Sequence, residues 1–577
     1  MFCPKARKDE ARVSFFLSCS QVSWMPLGKR RFRHRIATHR WRLNCRSSLN
    51  TRFLRSACPD SRLRWLTTSR SFGRRALVLQ IPTRKAQLPL RRFTGWDQFP
   101  SSSPTLRSCN CLSAVNLTLT HRSRNTSRIF ILRIPFGTPI TLRELMSHRA
   151  GLVREPPVGS YFDSTEPSLA EVVKSLNSTD LVYAPGTHTK YSNAGDTVAG
   201  LVLESVARKP YAQYMQETLL RPLRLESSSF NREPSLLRNL AKGYMWTYDG
   251  KVFQAPTFAL GTGPAGNTYS TVLDQGRFLS SLFSGGQGLN GRILKAATLQ
   301  QMFAPQGSDS GFGLGFALLN VDGLKMVGHR GGIYGFSTEV LAMPTERIGA
   351  VVMTNMDNSS EVCWHIAFTA LRLMLAVRQG KPLPSVLIPS DVPPDMRLKL
   401  AGRYEKGSDA IQIFERDGKL FIEPLQDGER SELRQRGDGS LLTNDRNGWG
   451  WKITPSASGI IAHGNTDEVY RRVGKAPEAP VPPEWSKLLG EYGWDFNMLY
   501  IMDRNSQLTA LLEMEYIPLR KASAEVWELP PDSLYDHEKL MFVLDNSGCP
   551  MQIKVGEVVF PRRSVCDNRS WPNGTYP

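Results

Sequence analysis

One boundary constrains this chain before any motif is read. Up to Pro135 it carries 28 Lys and Arg against 4 Asp and Glu, which leaves 45 of its 73 basic and 48 of its 52 acidic residues for positions 136–577. The formal charge of +21 therefore belongs to the N-terminal part, and the larger part is close to neutral. A uniformly basic protein would point to nucleic acid or an anionic membrane surface. Charge confined in this way does not, and no nucleic-acid partner is expected. Six of the nine cysteines (Cys3, Cys19, Cys45, Cys58, Cys109, Cys111) lie on the basic side of the boundary. Cys109 and Cys111 are too close and too isolated for a zinc site, so no metal is expected. Cys549 and Cys566 can pair in an oxidising compartment, with two buried thiols as the alternative. No run of 18 apolar residues marks a membrane span. The stretch from Val13 to Met25 is interrupted by polar residues and makes a poor signal peptide.

The 577 residues are enough for several cores. Residues 1–134 are rich in Arg and Ser, poor in acid, and show no sustained periodicity. A transit peptide, a disordered basic arm and an out-of-frame translation all fit that composition. From Gly137 the texture is that of a folded domain, 135–380. "TPITLRELMSHRAGL" predicts a helix with Thr141 as N-cap, an apolar face at Leu142, Leu145 and Met146, and a stop at Gly151. A second helix follows "YSN" with Val198, Leu201, Val202 and Val206 on one face. A third, capped by Ser270, turns Leu273 and Phe278 inward and ends at Gly285 and Gly286. "STEVLAMP" and "IGAVVMTN" read as hairpin strands, so the fold class is α+β with an antiparallel sheet flanked by helices. A Pro-rich linker, 381–398, leads to a β module at 399–475 and a second at 485–566. These two modules share a repeat, "VPPDMRLKLAGRY" echoed by "VPPEWSKLLGEY", each followed by strand, turn and strand.

Within the folded domain, "TKYSN" places Tyr191 and Asn193 one residue apart behind a Pro185–Gly186 turn. Alone, Tyr191 reads as a core tyrosine and Asn193 as a helix cap. Together with "ITLRELMSHRAGL", "GLVLESVA" and "GHRGGIYGFSTEVLAMPTERIGAVVMTN", the segment from about 134 to 380 resembles the serine β-lactamase and penicillin-binding-protein family, especially its class C-like esterases and D-aminopeptidases. The resemblance implies a β-lactamase-like fold, no cofactor, a small-molecule or peptide substrate, a periplasmic or secreted setting, and hydrolysis through an acylated serine. It implies that Tyr191 helps move the serine's proton, which needs nearby positive charge to favour the phenolate. Asn193 would bond substrate or a lysine. His329, Arg330 and Gly331 would form the third motif, with His329 donating to a substrate carbonyl or carboxylate while Gly331 and Gly332 admit the substrate backbone. His148 is expected to be scaffold, Arg154 and Glu155 surface charges, and Ser192 a variable position rather than the nucleophile.

The family's serine needs a lysine one helical turn later, beside the hydroxyl. No Ser-x-x-Lys lies upstream of Tyr191, so the chain as written has no nucleophile. Reading the coding DNA from the third base of each codon across "GWDQFPSSSPTLRSCNCL" changes that. Tryptophan has only TGG and aspartate begins GA, so the triplet spanning Trp96 and Asp97 is GGA, glycine. The next junctions permit Ser-Val-Ser-Lys and then an amphipathic helix. Farther on, "RNTSRIFILRI" permits a stretch that runs into "FGTP" in the present frame. The hypothesis that about residues 91–134 are an out-of-frame translation follows. Sequencing the gene is expected to give GAT for Asp97 and CCA for Pro100, because any other codon at either position removes the serine or the lysine.

Overall fold

The computed structural model describes residues 139–563, apart from 247–251, 309, 426–429, 447, 465–466, 475–481, 495, 505, 513–514, 532 and 534, together with two strand segments at 64–68 and 75–80. The stretch 91–134, where the alternative frame places the serine, lies outside the described residues.

Local sequence explains most of the elements around the site. Helix α1, Leu142–Met146, opens with a capping box: the Thr141 hydroxyl accepts from the Glu144 N–H at 3.2 Å, and Glu144 Oε2 accepts from the Thr141 N–H at 2.7 Å. Leu142, Leu145 and Met146 are all buried. The helix ends before the expected Gly151, because His148 adopts the left-handed conformation at φ 57°. Gly151, at φ +73°, is needed for another reason: a Cβ there would fall 2.0 Å from the Tyr183 carbonyl oxygen. Helix α2, Asn193–Ala207, buries Ala194, Val198 and Leu201, whereas Val206 is exposed, so the buried face is narrower than the pattern predicts. Helix α3, Val272–Phe283, is capped by Thr271 rather than Ser270; the Ser270 hydroxyl accepts instead from the Gln275 side chain at 2.7 Å. Phe278 is fully buried, Leu273 only half so, and Gly285 and Gly286 stop the helix at positive φ.

The central sheet contains β1 (Arg64–Thr68), β2 (Arg75–Gln80), β3 (Ala317–Val321), β4 (Leu324–Ile333), β5 (Phe336–Met343) and β6 (Ile348–Thr354), in the order β1-β2-β6-β5-β4-β3. Every neighbouring pair is antiparallel except β2 with β6, which are parallel. The antiparallel sheet expected of the hairpin strands therefore gains two strands from the N-terminal region. Alternation along β5 and β6 sorts side chains to two layers. Val340, Ala342, Val351 and Met353 join the core under α1, α2 and α3. Leu341, Met343, Ala350 and Val352 pack against Cys363, Ala367 and Leu371 of helix α4, Ser360–Gln379. Among the described residues, α4 alone is apolar and long enough to cross a membrane, yet this stripe lies on the sheet.

The C-terminal region is rich in β structure. Eight strands from Gly402–Lys406 to Asp467–Val473 form a closed up-and-down barrel around Ile413, Leu420, Ile453 and Ile460. Two further sheets, four-stranded and five-stranded, share one core. The repeat at the start of each unit has a structural meaning: the buried Tyr404 donates its hydroxyl to the Leu400 carbonyl at 2.7 Å, and the buried Tyr492 donates to the Leu488 carbonyl at 2.8 Å. Tyr404 ties its strand to the end of the helix Pro394–Leu400, and Tyr492 ties its strand to the turn that precedes it. Cys549 is disulfide-bonded, and Cys566, the partner the sequence offers, lies outside the described residues. Tyr404→Phe is expected to lower unfolding stability by about 1 kcal/mol, the worth of one buried hydrogen bond. Denaturant titration of the two proteins measures it.

Candidate active site

The site is built where the loop after α1 meets the segment before α2. Backbone hydrogen bonds from Val182 to Gly151 (2.8 Å), Gly186 to Arg149 (2.8 Å) and Lys190 to His148 (2.7 Å) lay the two segments side by side. Ser192 then closes the joint. Its hydroxyl accepts from the Gly195 N–H at 3.0 Å as N-cap of α2, and donates to the Val153 carbonyl at 2.7 Å. A buried hydroxyl so occupied is a structural cap, in line with its rejection as nucleophile.

This joint fixes Tyr191 on one side of the cap and Asn193 on the other. The His148 ring packs on Tyr191 with centroids 4.3 Å apart, and Phe312 meets His148 edge-on at 4.8 Å. His329, on β4, comes within 6.1 Å of Tyr191 and 6.4 Å of Phe312. Tyr191 and His329, widely separated in sequence, thus share one largely buried aromatic cluster. Asn193 is near them but occupied, since its side-chain amide donates to Glu155 Oε1 at 2.5 Å.

Several expectations are corrected by this geometry. Glu155 is 2% exposed and holds Asn193, and Arg154 lies with its guanidinium 5.1 Å from the centre of the Tyr191 ring. Neither is a surface charge. A positive group therefore lies over the Tyr191 ring face. His148 is not scaffold alone, because its ring forms one side of the cluster. Along β4 the alternation of side chains puts Gly331 on the His329 face and Arg330 with Gly332 on the other. Arg330 faces α4, pairing with Glu361 at 2.6 Å and with Glu339 at 3.4 Å and lying over Trp364. Burial outweighs the Arg330 charge and pushes Glu339 up to about 8. A Cβ at Gly332 would meet open space, so the chain's own packing does not demand that glycine.

The two histidines differ in tautomer. Burial pushes His148 down to about 3, helped by His329 and Arg154, and pushes His329 down to about 4. Both rings are therefore neutral at pH 7. His329 Nδ1 lies 2.5 Å from the Arg330 carbonyl oxygen, which can only accept, so Nδ1 bears the proton and Nε2 is a bare acceptor. His148 Nδ1 accepts from the Ser192 N–H at 3.3 Å, so its proton sits on Nε2. Both Nε2 atoms are buried and without a hydrogen-bond partner among the described residues. His329 is thereby placed to receive a hydrogen bond from a substrate, the reverse of the expected donation, and His148 is the ring placed to give one.

The described residues contain no group of three His, Cys, Asp or Glu able to hold a metal. Of the residues missed in sequence, Arg154 and Glu155 gave only an adjacent charge pair, and Phe312 gave only an aromatic in a glycine-rich loop. Nothing local marked His148, whose importance comes from its left-handed turn.

Residues 132–372 match the family model described as Beta-lactamase. The "Unguisins hydrolase ungD'" of Aspergillus campestris is 27% identical over 233 residues, which are 38% of this chain and 43% of that protein. Beta-lactamase-like protein 2 of Dictyostelium discoideum is 27% identical over 219 residues, 36% of this chain and 39% of that protein. The chain thus spans about two fifths of the length of these curated relatives. Among solved structures, the octameric penicillin-binding protein homologue from Pyrococcus abyssi is 19% identical with a TM-score of 0.46, covering 74% of this chain and 89% of that one. The D-amino acid amidase from Ochrobactrum anthropi is 20% identical with a TM-score of 0.41, covering 51% of this chain and 85% of that one. Over residues 132–372 the chain is thus similar to the Beta-lactamase family. A β-rich C-terminal region follows the matched segment.

Because both histidines are neutral in the fold and titrate near 6.5 when unfolded, their contribution to stability is fully present above pH 6.5 and declines as pH falls towards 4. The expected slope is about 1.4 kcal/mol per pH unit for each ring. Denaturant titrations of His148→Gln and His329→Gln across that window should show a shallower dependence than the unaltered protein. An unchanged slope in both variants would contradict the assignment.

Proposed function

We propose that this protein is the framework of a serine hydrolase that cleaves an amide or ester through an acyl-enzyme, with its nucleophile encoded in the alternative frame of residues 91–134. The observation that carries the reading is the meeting of Tyr191 and His329, 6.1 Å between ring centroids, with Arg154 over the tyrosine ring. In that reaction a serine oxygen attacks the substrate carbonyl carbon while its proton passes to Tyr191, supported by the motif lysine. The leaving amine or alcohol takes the proton as the carbonyl–heteroatom bond breaks. Water then attacks the acyl ester, the acid departs, and the serine regains its hydrogen. Arg154 lowers the cost of negative charge on Tyr191. The neutral His329 holds a substrate N–H or O–H, and the His148 Nε2–H is a donor available to a substrate oxygen. β-Lactams, D-amino-acid peptides and simple esters all fall within this chemistry, and the Aspergillus relative is named a hydrolase.

A second reading, a ligand-binding protein without catalysis, is favoured by one observation. Ser192, the hydroxyl next to Tyr191, is consumed by capping α2. A fluorophosphonate probe separates the two. The chain as written should remain unlabelled, the frame-restored chain should label, and Tyr191→Phe in the restored chain should slow labelling by roughly 10²- to 10⁴-fold. Absence of labelling in a folded, frame-restored protein would favour the binding protein.

A further inference from the structure

Glu538 stands far from the hydrolase domain in sequence, in the loop before Lys539–Leu544 of the second β module. Its carboxylate nevertheless reaches both segments that carry the site. Oε1 lies 2.9 Å from Lys190 Nζ and accepts the Arg154 backbone N–H at 2.8 Å. The side chains of Lys190 and Glu538 are each only 2% exposed. One oxygen therefore ties together the residue before Tyr191 and the residue whose guanidinium covers it. We propose that Glu538 is a positioning residue, and that the second β module completes the active site of the hydrolase domain by holding Arg154 and Lys190 around Tyr191.

Three further contacts support this placement. Tyr535, three residues earlier, puts its ring 6.0 Å from the Arg154 guanidinium, so Arg154 lies between Tyr191 and the module. The Tyr183 hydroxyl reaches His537 Nδ1 at 2.7 Å and donates to Asp536 Oδ2 at 3.0 Å, fastening the loop that leads to Lys190. Gly556 leaves room for the carboxylate, since a Cβ there would fall 1.9 Å from Glu538 Oε2. The module is seated firmly enough for this role. Phe162 of the hydrolase domain is buried in the module's own core against Trp494 and Phe560, and Asn497 donates to the Tyr334 hydroxyl at 3.2 Å.

Energetics favour positioning over stabilisation as the role. A buried ion pair repays little of its desolvation, and a well-packed apolar pair of similar volume is often as stable. What apolar replacements cannot supply is the acceptor for the Arg154 N–H. This inference rests on the proposed role of Tyr191, but its test does not depend on catalysis.

The test uses the full chain with ¹³Cζ-tyrosine and ¹⁵N-arginine labels, the Tyr191 and Arg154 resonances being assigned with Tyr191→Phe and Arg154→Lys. The double variant Lys190→Met, Glu538→Leu removes both charges and keeps the volume. Its melting temperature should stay within a few degrees of the unaltered chain, while the Tyr191 and Arg154 side-chain resonances move by more than a linewidth. Glu538→Gln, which keeps an acceptor for Arg154, should move them less. Tyr183→Phe, which touches neither partner of Glu538, should leave them in place. Unmoved resonances in the folded double variant would overturn the proposal and reduce the pair to structural glue. If the double variant does not fold, Gly556→Ala, which displaces the carboxylate sterically, carries the same expectation and the same refutation. A fluorophosphonate failure in the frame-restored chain would sink the hydrolase reading without touching these resonances.

Discussion

The Ser192 hydroxyl is the interaction on which the site depends. By accepting from Gly195 and donating to Val153, it joins the first turn of α2 to the loop leaving α1. Everything chemical is arranged about that joint. Tyr191 precedes it, Asn193 follows it, His148 accepts the Ser192 N–H, and Arg154 and Glu155 lie just beyond the carbonyl it binds. A cap that also bridges two segments does more than end a helix, because it fixes the angle at which the chain enters α2 and hence the direction of the tyrosine.

Elements with local causes were legible in the sequence. The α1 cap, the glycine stop of α3, and the strand pair over 336–354 each depend on neighbouring residues, and each is close to where the pattern put it. The errors have physical reasons. His148 ends α1 early by taking a conformation that few residues other than glycine adopt, and no spacing rule signals it. The expected α2 face was too wide because Val206 lies in the last turn, beyond the core that buries Val198. The parallel contact of β2 with β6 arises in a region whose sequence shows no periodicity.

Candidate residues divided along the same line. Tyr191 and His329 could be proposed because motif order survives in one dimension. The direction of hydrogen bonding at His329 could not, because it depends on a carbonyl one residue away turning towards its own ring. Arg154 and Glu155 read as surface charges because charged residues usually are. Here one is consumed by an asparagine amide and the other by a ring face, partners that only the fold supplies.

These partners also explain how a strongly polar site remains buried. Its two histidines are neutral, and each of its cations has a carboxylate beside it: Lys190 has Glu538, and Arg154 has Glu155 at 3.7 Å. The interior near Tyr191 thus holds oriented donors and acceptors, with Lys190 and Arg154 each beside a carboxylate. Of these pairs, the one at Lys190 joins the segment before α2 to the C-terminal β-rich region.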